Sequence, residues 1–262
     1  MNFDALLQAK RDFLKSHDWD LIPPSPEWEP DQRKGVLAPS IEKLIPANSE
    51  TVPLTPYHEL DFRAVSLQEA INSRRSRRNY SDQAVSRDEL SFLLWATQGV
   101  HRINDDRSLS WRTAPSGGNG HPFETYLIVN NVEGIRRGVH RYLALSHSLL
   151  YLHGVNGDFN KVITDACAGQ AFASKAAVIF AWTTIPYRAE WRYSLLAHKD
   201  IAIEAGHICQ NLYLACEAIK AATCALTGYE QKLVDDIIGV DGEDEYTVYL
   251  APVGKIPTKH ST

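Results

Sequence analysis

The sequence predicts an α+β fold. Two helices open on S-x-x-E capping boxes, a run of extended segments follows between 124 and 184, and a long apolar helix lies beyond them. Strands and helices do not alternate strictly, as a doubly wound parallel sheet would require. With 262 residues, 44% of them hydrophobic and 23% charged, the chain can build a substantial core without disulfides or a structural metal.

The elements are justified in order. Phe3, Leu6, Leu7, Phe13 and Leu14 recur at helical spacing, which predicts a short amphipathic helix over 3–16. Residues 21–57 are rich in proline and lack periodicity, so they read as an extended arm that suits exchange between two subunits. The chain accordingly divides into a helix and arm over 1–60 and a domain over 61–262. Ser66-Leu-Gln-Glu69 and Ser86-Arg-Asp-Glu89 start two helices. Residues 124–130 read as a strand, 138–143 and 148–152 as a hairpin turning near Ser146, and the apolar run 176–184 as a buried strand. Between 199 and 222 the charges are confined to Lys199, Asp200, Glu204, Glu217 and Lys220, so this helix is expected to be buried in a core or a subunit interface. A short strand near 223–226, a helix near 230–238 and a strand over 245–253 complete the order.

Composition excludes several function classes. The formal net charge of -5 argues against a nucleic-acid binder. Cys167, Cys209, Cys216 and Cys224 form no C-x-x-C pair and no zinc-ligand spacing, and Cys209 and Cys216 read as core residues sharing a helix face. No metal site is expected. The opening Met-Asn-Phe-Asp has no basic leader, and no uncharged stretch is long enough to span a bilayer, so a cytoplasmic protein without membrane contact is expected. Dinucleotide, P-loop, zincin and G-x-S-x-G fingerprints are missing.

Two segments carry candidate chemistry. Arg74, Arg75, Arg77 and Arg78 crowd around Ser76 in an otherwise acidic chain. Guanidinium forks match phosphate and carboxylate oxygens, so the run is a candidate anion site; the alternative is a solvated helix end. Asn79-Tyr80-Ser81 fits a glycosylation sequon, which is read as chance. In Thr113-Ala-Pro-Ser-Gly-Gly-Asn-Gly-His-Pro122 the glycines permit close approach of backbone to a flat ligand; the alternative is a plain turn.

Arg74-Arg-Ser-Arg-Arg-Asn-Tyr80, Ala114-Pro-Ser-Gly-Gly-Asn-Gly-His-Pro-Phe-Glu-Thr-Tyr-Leu-Ile-Val129 and Glu204-Ala-Gly-His-Ile-Cys-Gln-Asn-Leu-Tyr-Leu-Ala215, in that order, resemble the nitroreductase superfamily. Within it they are most similar to the SagB-type dehydrogenase branch, which includes the thiazole- and oxazole-forming oxidases. The resemblance runs from about residue 66 to 255.

It implies a central, mostly antiparallel sheet flanked by helices, in an intertwined homodimer with FMN at the subunit interface. Carried over by position, Arg74, Arg75, Ser76 and Arg78 would contact the flavin's phosphate, ribityl chain or pyrimidine edge. Pro115, Ser116, Gly117 and Gly118 would lie along the ring, and Leu226, Thr227 and Gly228 near its N5. Lys255 would meet the phosphate, with Lys259 a weaker candidate. The helix over 199–222 would be the dimer helix. The implied activity moves hydride between NAD(P)H and a small electrophile such as a nitroaromatic or a quinone; the alternatives are azoline oxidation and flavin binding without turnover. Azoline-oxidising members carry Lys-Tyr where this chain has Arg192 and Tyr193, and arginine cannot act as a base near neutral pH. Arg192 and Tyr193 are the candidate catalytic pair, with ion pairing the plainer role for Arg192. His121 is a candidate for the substrate side of the ring, and His207 is expected to be a packed, hydrogen-bonded helix residue.

Overall fold

The computed structural model describes residues 2–16, 29–62 and 65–257. Alternating apolar side chains on β4 (Phe123–Val129) and β7 (Val178–Thr184) fill both faces of the sheet they centre. Phe123, Leu127, Phe180 and Trp182 point to one core, whereas Tyr126, Ile128, Ile179 and Ala181 point to another. That two-sided burial explains the continuous apolar run between 176 and 184.

Seven strands form the main sheet in the order β1-β6-β5-β4-β7-β9-β8, and every pairing is antiparallel. The remaining members are β1 (Thr51–Pro53), β5 (Gly138–Leu143), β6 (Ser148–His153), β8 (Ala221–Thr223) and β9 (Tyr246–Lys255). A separate hairpin pairs β2 (Val100–Ile103) with β3 (Ser110–Arg112). The α+β expectation is met.

Helices cover both faces. α3 (Arg87–Gln98) and α6 (Ala197–Ala218) pack on the first core, and α4 (Phe159–Ala166) and α7 (Gln231–Ile238) on the second. α2 (Leu67–Ser73) and α5 (Tyr187–Tyr193) lie against α6. Both caps form: Ser66 accepts from the Glu69 amide, and Ser86 and Glu89 make the full reciprocal box. α6 ends where Lys220 enters the left-handed region at φ 52, so β8 begins at Ala221 rather than near 223.

α6 is not buried all round: Ile201, Ala205, Ile208 and Leu212 pack inward, while Ala202, Ile203, Gly206, His207 and Gln210 are exposed in the single chain. The proline-rich arm, from residue 30 on, lies on its own chain. The Gln32 amide donates to Trp191 O, and Trp191 Nε1 returns a bond to Val36 O. Arg112 donates to Ile41 O, the Lys43 amide to Glu124, and Arg141 to the carbonyls of Lys43 and Leu44. Lys43 also pairs with Glu245, and the buried Arg188–Glu124 pair closes at 2.7 Å beneath it. β1 then joins the sheet edge beside β6. Arm residues 21–28 fall outside the described residues. α1 (Phe3–Phe13) matches the expected amphipathic helix, with its apolar face exposed.

Candidate functional site

The arginine run begins where α2 stops. Arg74, at ψ 126, turns the chain extended, and the next residues align with the β8 edge. Ser76 bridges Thr223 in parallel, and the Arg77 amide donates to Thr223 O at 2.9 Å. This geometry splits the four arginines. Arg77 turns inward to Glu217 at 2.5 Å and Ser73 O at 2.9 Å. Arg74 stacks on the Tyr213 ring at 5.4 Å, Arg78 on the Phe172 ring at 5.7 Å, and Arg75 donates to the carbonyls of Asn72 and Arg74. Among the described residues none of these three meets a carboxylate.

The same neighbourhood gathers the 226–228 turn. Tyr213 Oη bonds Ser76 Oγ at 3.0 Å and accepts from the Ala225 amide at 2.9 Å, so one side chain ties the run to that turn. Leu226 is buried through its pairing with Leu250, whereas Thr227 and Gly228 are exposed. Gln170 donates to Gly228 O two residues before Phe172, on which Arg78 rests. Lys255, expected at a phosphate, is instead buried: its Nζ pairs with Glu89 and donates to Ile219 O at 2.6 Å. The ion pair with the α3 capping residue draws the ammonium inward. Lys259 lies outside the described residues.

The glycine loop is built differently. Gly118, Asn119 and His121 all adopt positive φ, at 56°, 56° and 41°. A Cβ on Gly118 would stand 2.3 Å from Arg192 Nη1 and 2.8 Å from Tyr193 Oη, so a side chain there would strain the backbone and displace Arg192. The Gly117 amide donates to Glu204 Oε1 at 2.6 Å, Arg192 Nη1 donates to Gly118 O at 2.9 Å, and Ser116 Oγ accepts from the His121 amide. Pro115 stays exposed at the loop's entrance.

Arg192 and Tyr193 therefore grip the loop. Burial pushes the His121 imidazole down to about 3, with the Arg112 charge adding to it, so it is neutral; its Nε2 has no partner among the described residues. His207 is exposed and makes no hydrogen bond among them, contrary to the packed role expected of it. Glu204 is the residue that sequence reasoning passed over. Burial lifts its carboxyl to about 7, against the lowering effect of bonds from Gly117 and Ser116, and Asp200 adds to the rise. The available signal was a lone acid in an apolar stretch of helix.

One chain does not bring the two motifs together. Glu204 anchors the loop and Tyr213 anchors the run, nine residues apart on α6. At 100° and about 1.5 Å per residue that is half a turn round the helix and roughly 14 Å along it. The sheet agrees: the loop enters β4 at the Phe123–Thr184 end, while the run flanks Thr223, which pairs with Val253 opposite Val178 at the far end of β7.

Among the described residues no His/Cys/Asp/Glu cluster could hold a metal, and no helix is long and apolar enough to cross a membrane. The sequence profile of the nitroreductase family matches residues 71–255. A Methanocaldococcus jannaschii protein named as a nitroreductase is 27% identical over 195 residues, covering 74% of this chain and 93% of that protein. A solved Anabaena variabilis protein described as a nitroreductase is 24% identical with a TM-score of 0.60; the match covers 72% of this chain but 37% of that longer one. The E. coli microcin synthetase McbBCD complex with truncated pro-MccB17 bound contains a chain of TM-score 0.57 and 18% identity. That likeness covers 95% of this chain and 94% of the other.

Proposed function

Because this chain belongs to the nitroreductase family, a family of oxidoreductases, we propose that it is an FMN-dependent enzyme acting between NAD(P)H and a small electrophile, a nitroaromatic or a quinone. When bound, FMN would supply two-electron hydride chemistry between the two substrates. The chain's own residues hold and orient it. Arg74, Arg75 and Arg78, with no carboxylate partner among the described residues, offer charge-assisted donors to the phosphate and to the pyrimidine edge. Ser76 adds a hydroxyl, and Thr227 and Gly228 add exposed backbone beside them. The loop at Pro115, Ser116, Gly117 and Gly118 offers a flat approach to the ring. Lys255 has two of its three donors taken by Glu89 and Ile219 O, which leaves one for a phosphate.

The observation that carries this reading is the separation of run and loop on opposite sides of α6. One flavin touched by both needs the run of one subunit and the loop of the other, hence a homodimer. The exposed Ala202, Ile203 and Gly206 give α6 a small, apolar face for close contact with a partner helix.

Mixed dimers test it. A chain carrying Arg74→Ala and Arg78→Ala is co-expressed, under a separate tag, with one carrying Gly118→Val. Each variant alone should purify colourless, whereas the mixed dimer should hold one flavin on its single intact site. Colour confined to wild-type chains, with none in the mixture, would show that both motifs serve the same subunit. Anaerobic bleaching of the bound flavin by NAD(P)H separates the enzyme from a flavoprotein without turnover.

A second reading, oxidation of peptide azolines, is favoured by the likeness to the peptide-bound synthetase complex over nearly both chains, arm included. Against it stands Arg192, committed to Gly118 O where a base is wanted. Flavin reduction by a thiazoline peptide, with failure by NAD(P)H, would favour it.

A further inference from the structure

Consecutive residues of the glycine loop are held from opposite sides by opposite charges. Glu204, from α6, accepts from the Gly117 amide, and Arg192, from α5, donates to Gly118 O. Both side chains lie beside the loop, yet no ion pair between them is formed; each charge is spent on backbone. Among the described residues Glu204 has no cationic partner and Arg192 no carboxylate, so neither is explained as half of a surface pair.

The loop needs such holding. Gly118, Asn119 and His121 have positive φ, and so does Ser194 at 48° in the adjoining α5–α6 junction. Non-glycine residues persist there only when their surroundings over-determine the conformation. We infer that Glu204 and Arg192 clamp the Gly117–Gly118 segment in the conformation that meets the flavin, so that both are positioning residues for the cofactor. This rests on the flavin-binding reading above.

The clamp has a built-in pH response. The charged group bearing on the Glu204 carboxyl is Asp200, one turn earlier on α6, and Ser116 and Tyr193 are its uncharged neighbours; the Arg192 guanidinium of α5 does not shift it. Charged groups of α2, α3 and β9, which also pack on α6, are not among those that shift it. An ionised carboxylate accepts the Gly117 N–H more strongly than the neutral acid. With its carboxyl lifted to about 7, Glu204 grips the loop fully above neutrality and weakly below it. FMN affinity should therefore rise with pH through that point.

The test titrates FMN into dimeric apoprotein at about pH 5.5 and about pH 8.5, on either side of the lifted Glu204 value, for wild type and Glu204→Gln. Glutamine keeps the acceptor and removes the charge, so the variant should stay at the acid-limb affinity. It should bind about five- to tenfold more weakly than wild type at the higher pH and equally at the lower. The FMN phosphate also titrates, but it does so identically against both proteins, so their difference isolates residue 204. Arg192→Gln, which keeps a donor without the charge, should weaken binding at both pH values and alter the visible circular dichroism of the bound flavin. Matching curves and spectra for wild type and both variants would overturn the clamp. Wild type that binds no FMN at either pH would overturn the flavin reading, and the clamp with it.

Discussion

The arginine run and the glycine loop are both concentrations of awkward chemistry, and they resolve it in opposite ways. Among the described residues, the run leaves three of its four guanidiniums without a carboxylate, resting on aromatic rings or backbone carbonyls at the surface. The loop spends two nearby charges internally: Glu204 and Arg192 are satisfied by its own peptide groups, and Tyr193 fills the room its glycines leave. An anion site must keep charge in reserve, whereas a surface meant to lie against a flat ring must be held still. Under the proposed function the first region would grip the ligand and the second would shape its seat.

The strongest way to break that comparison is to remove the reserve. Replacing Arg74 and Arg78 by alanine deletes two charge-assisted contacts, each worth about 1.5–3 kcal/mol, so FMN affinity should fall by at least two orders of magnitude. Because neither guanidinium pairs with a carboxylate among the described residues, the apoprotein's melting temperature should barely move. Calorimetric titration and a melt of the apoprotein check both halves. A large loss of stability would mean that these arginines are structural after all.

How much of this could be read in advance follows from where each interaction lives. The N-caps at Ser66 and Ser86, the hairpin near Ser146 and the buried strand are local patterns, and they appear in the chain as expected, with the reciprocal box completed at Ser86. The path of the arm could not be read. It is held by Lys43 to Glu245 and Glu124 and by Arg141 to Lys43, partners 81 to 202 residues distant, and no periodicity announces a mate so far away. The hairpin β2–β3 was missed because its strands mix charge with apolar residues without alternation. Within the site the motifs were visible, but the division of labour among four arginines was not. That division depends on an extended segment pairing with Thr223, which faces Arg77 inward and its neighbours out.

Gly118→Ala sharpens the other half of the comparison with a smaller effect. An L-residue at φ 56, with its Cβ 2.3 Å from Arg192 Nη1, must either strain the backbone or push Arg192 off Gly118 O. The expected cost is about 1–3 kcal/mol of stability, read as a lower denaturant midpoint in the apoprotein itself. If the loop were instead moulded by ligand alone, the apoprotein would tolerate alanine and only the flavin complex would suffer.

The smallest effect probes the run from within. Arg77 shares its motif with Arg74 and Arg78 but pairs with Glu217, whose side chain is 10% exposed. Arg77→Ala should cost on the order of 1 kcal/mol, since the pair is only partly buried and the stranded carboxylate can reach water. FMN affinity should change by less than about threefold, because this guanidinium is already taken up by Glu217 and Ser73 O. The converse, a marked loss of flavin with unchanged stability, would mean that the four arginines act as one undifferentiated cloud of charge. Placement by pairing with β8 would then be irrelevant, and the contrast between grip and shape would reduce to a difference in net charge.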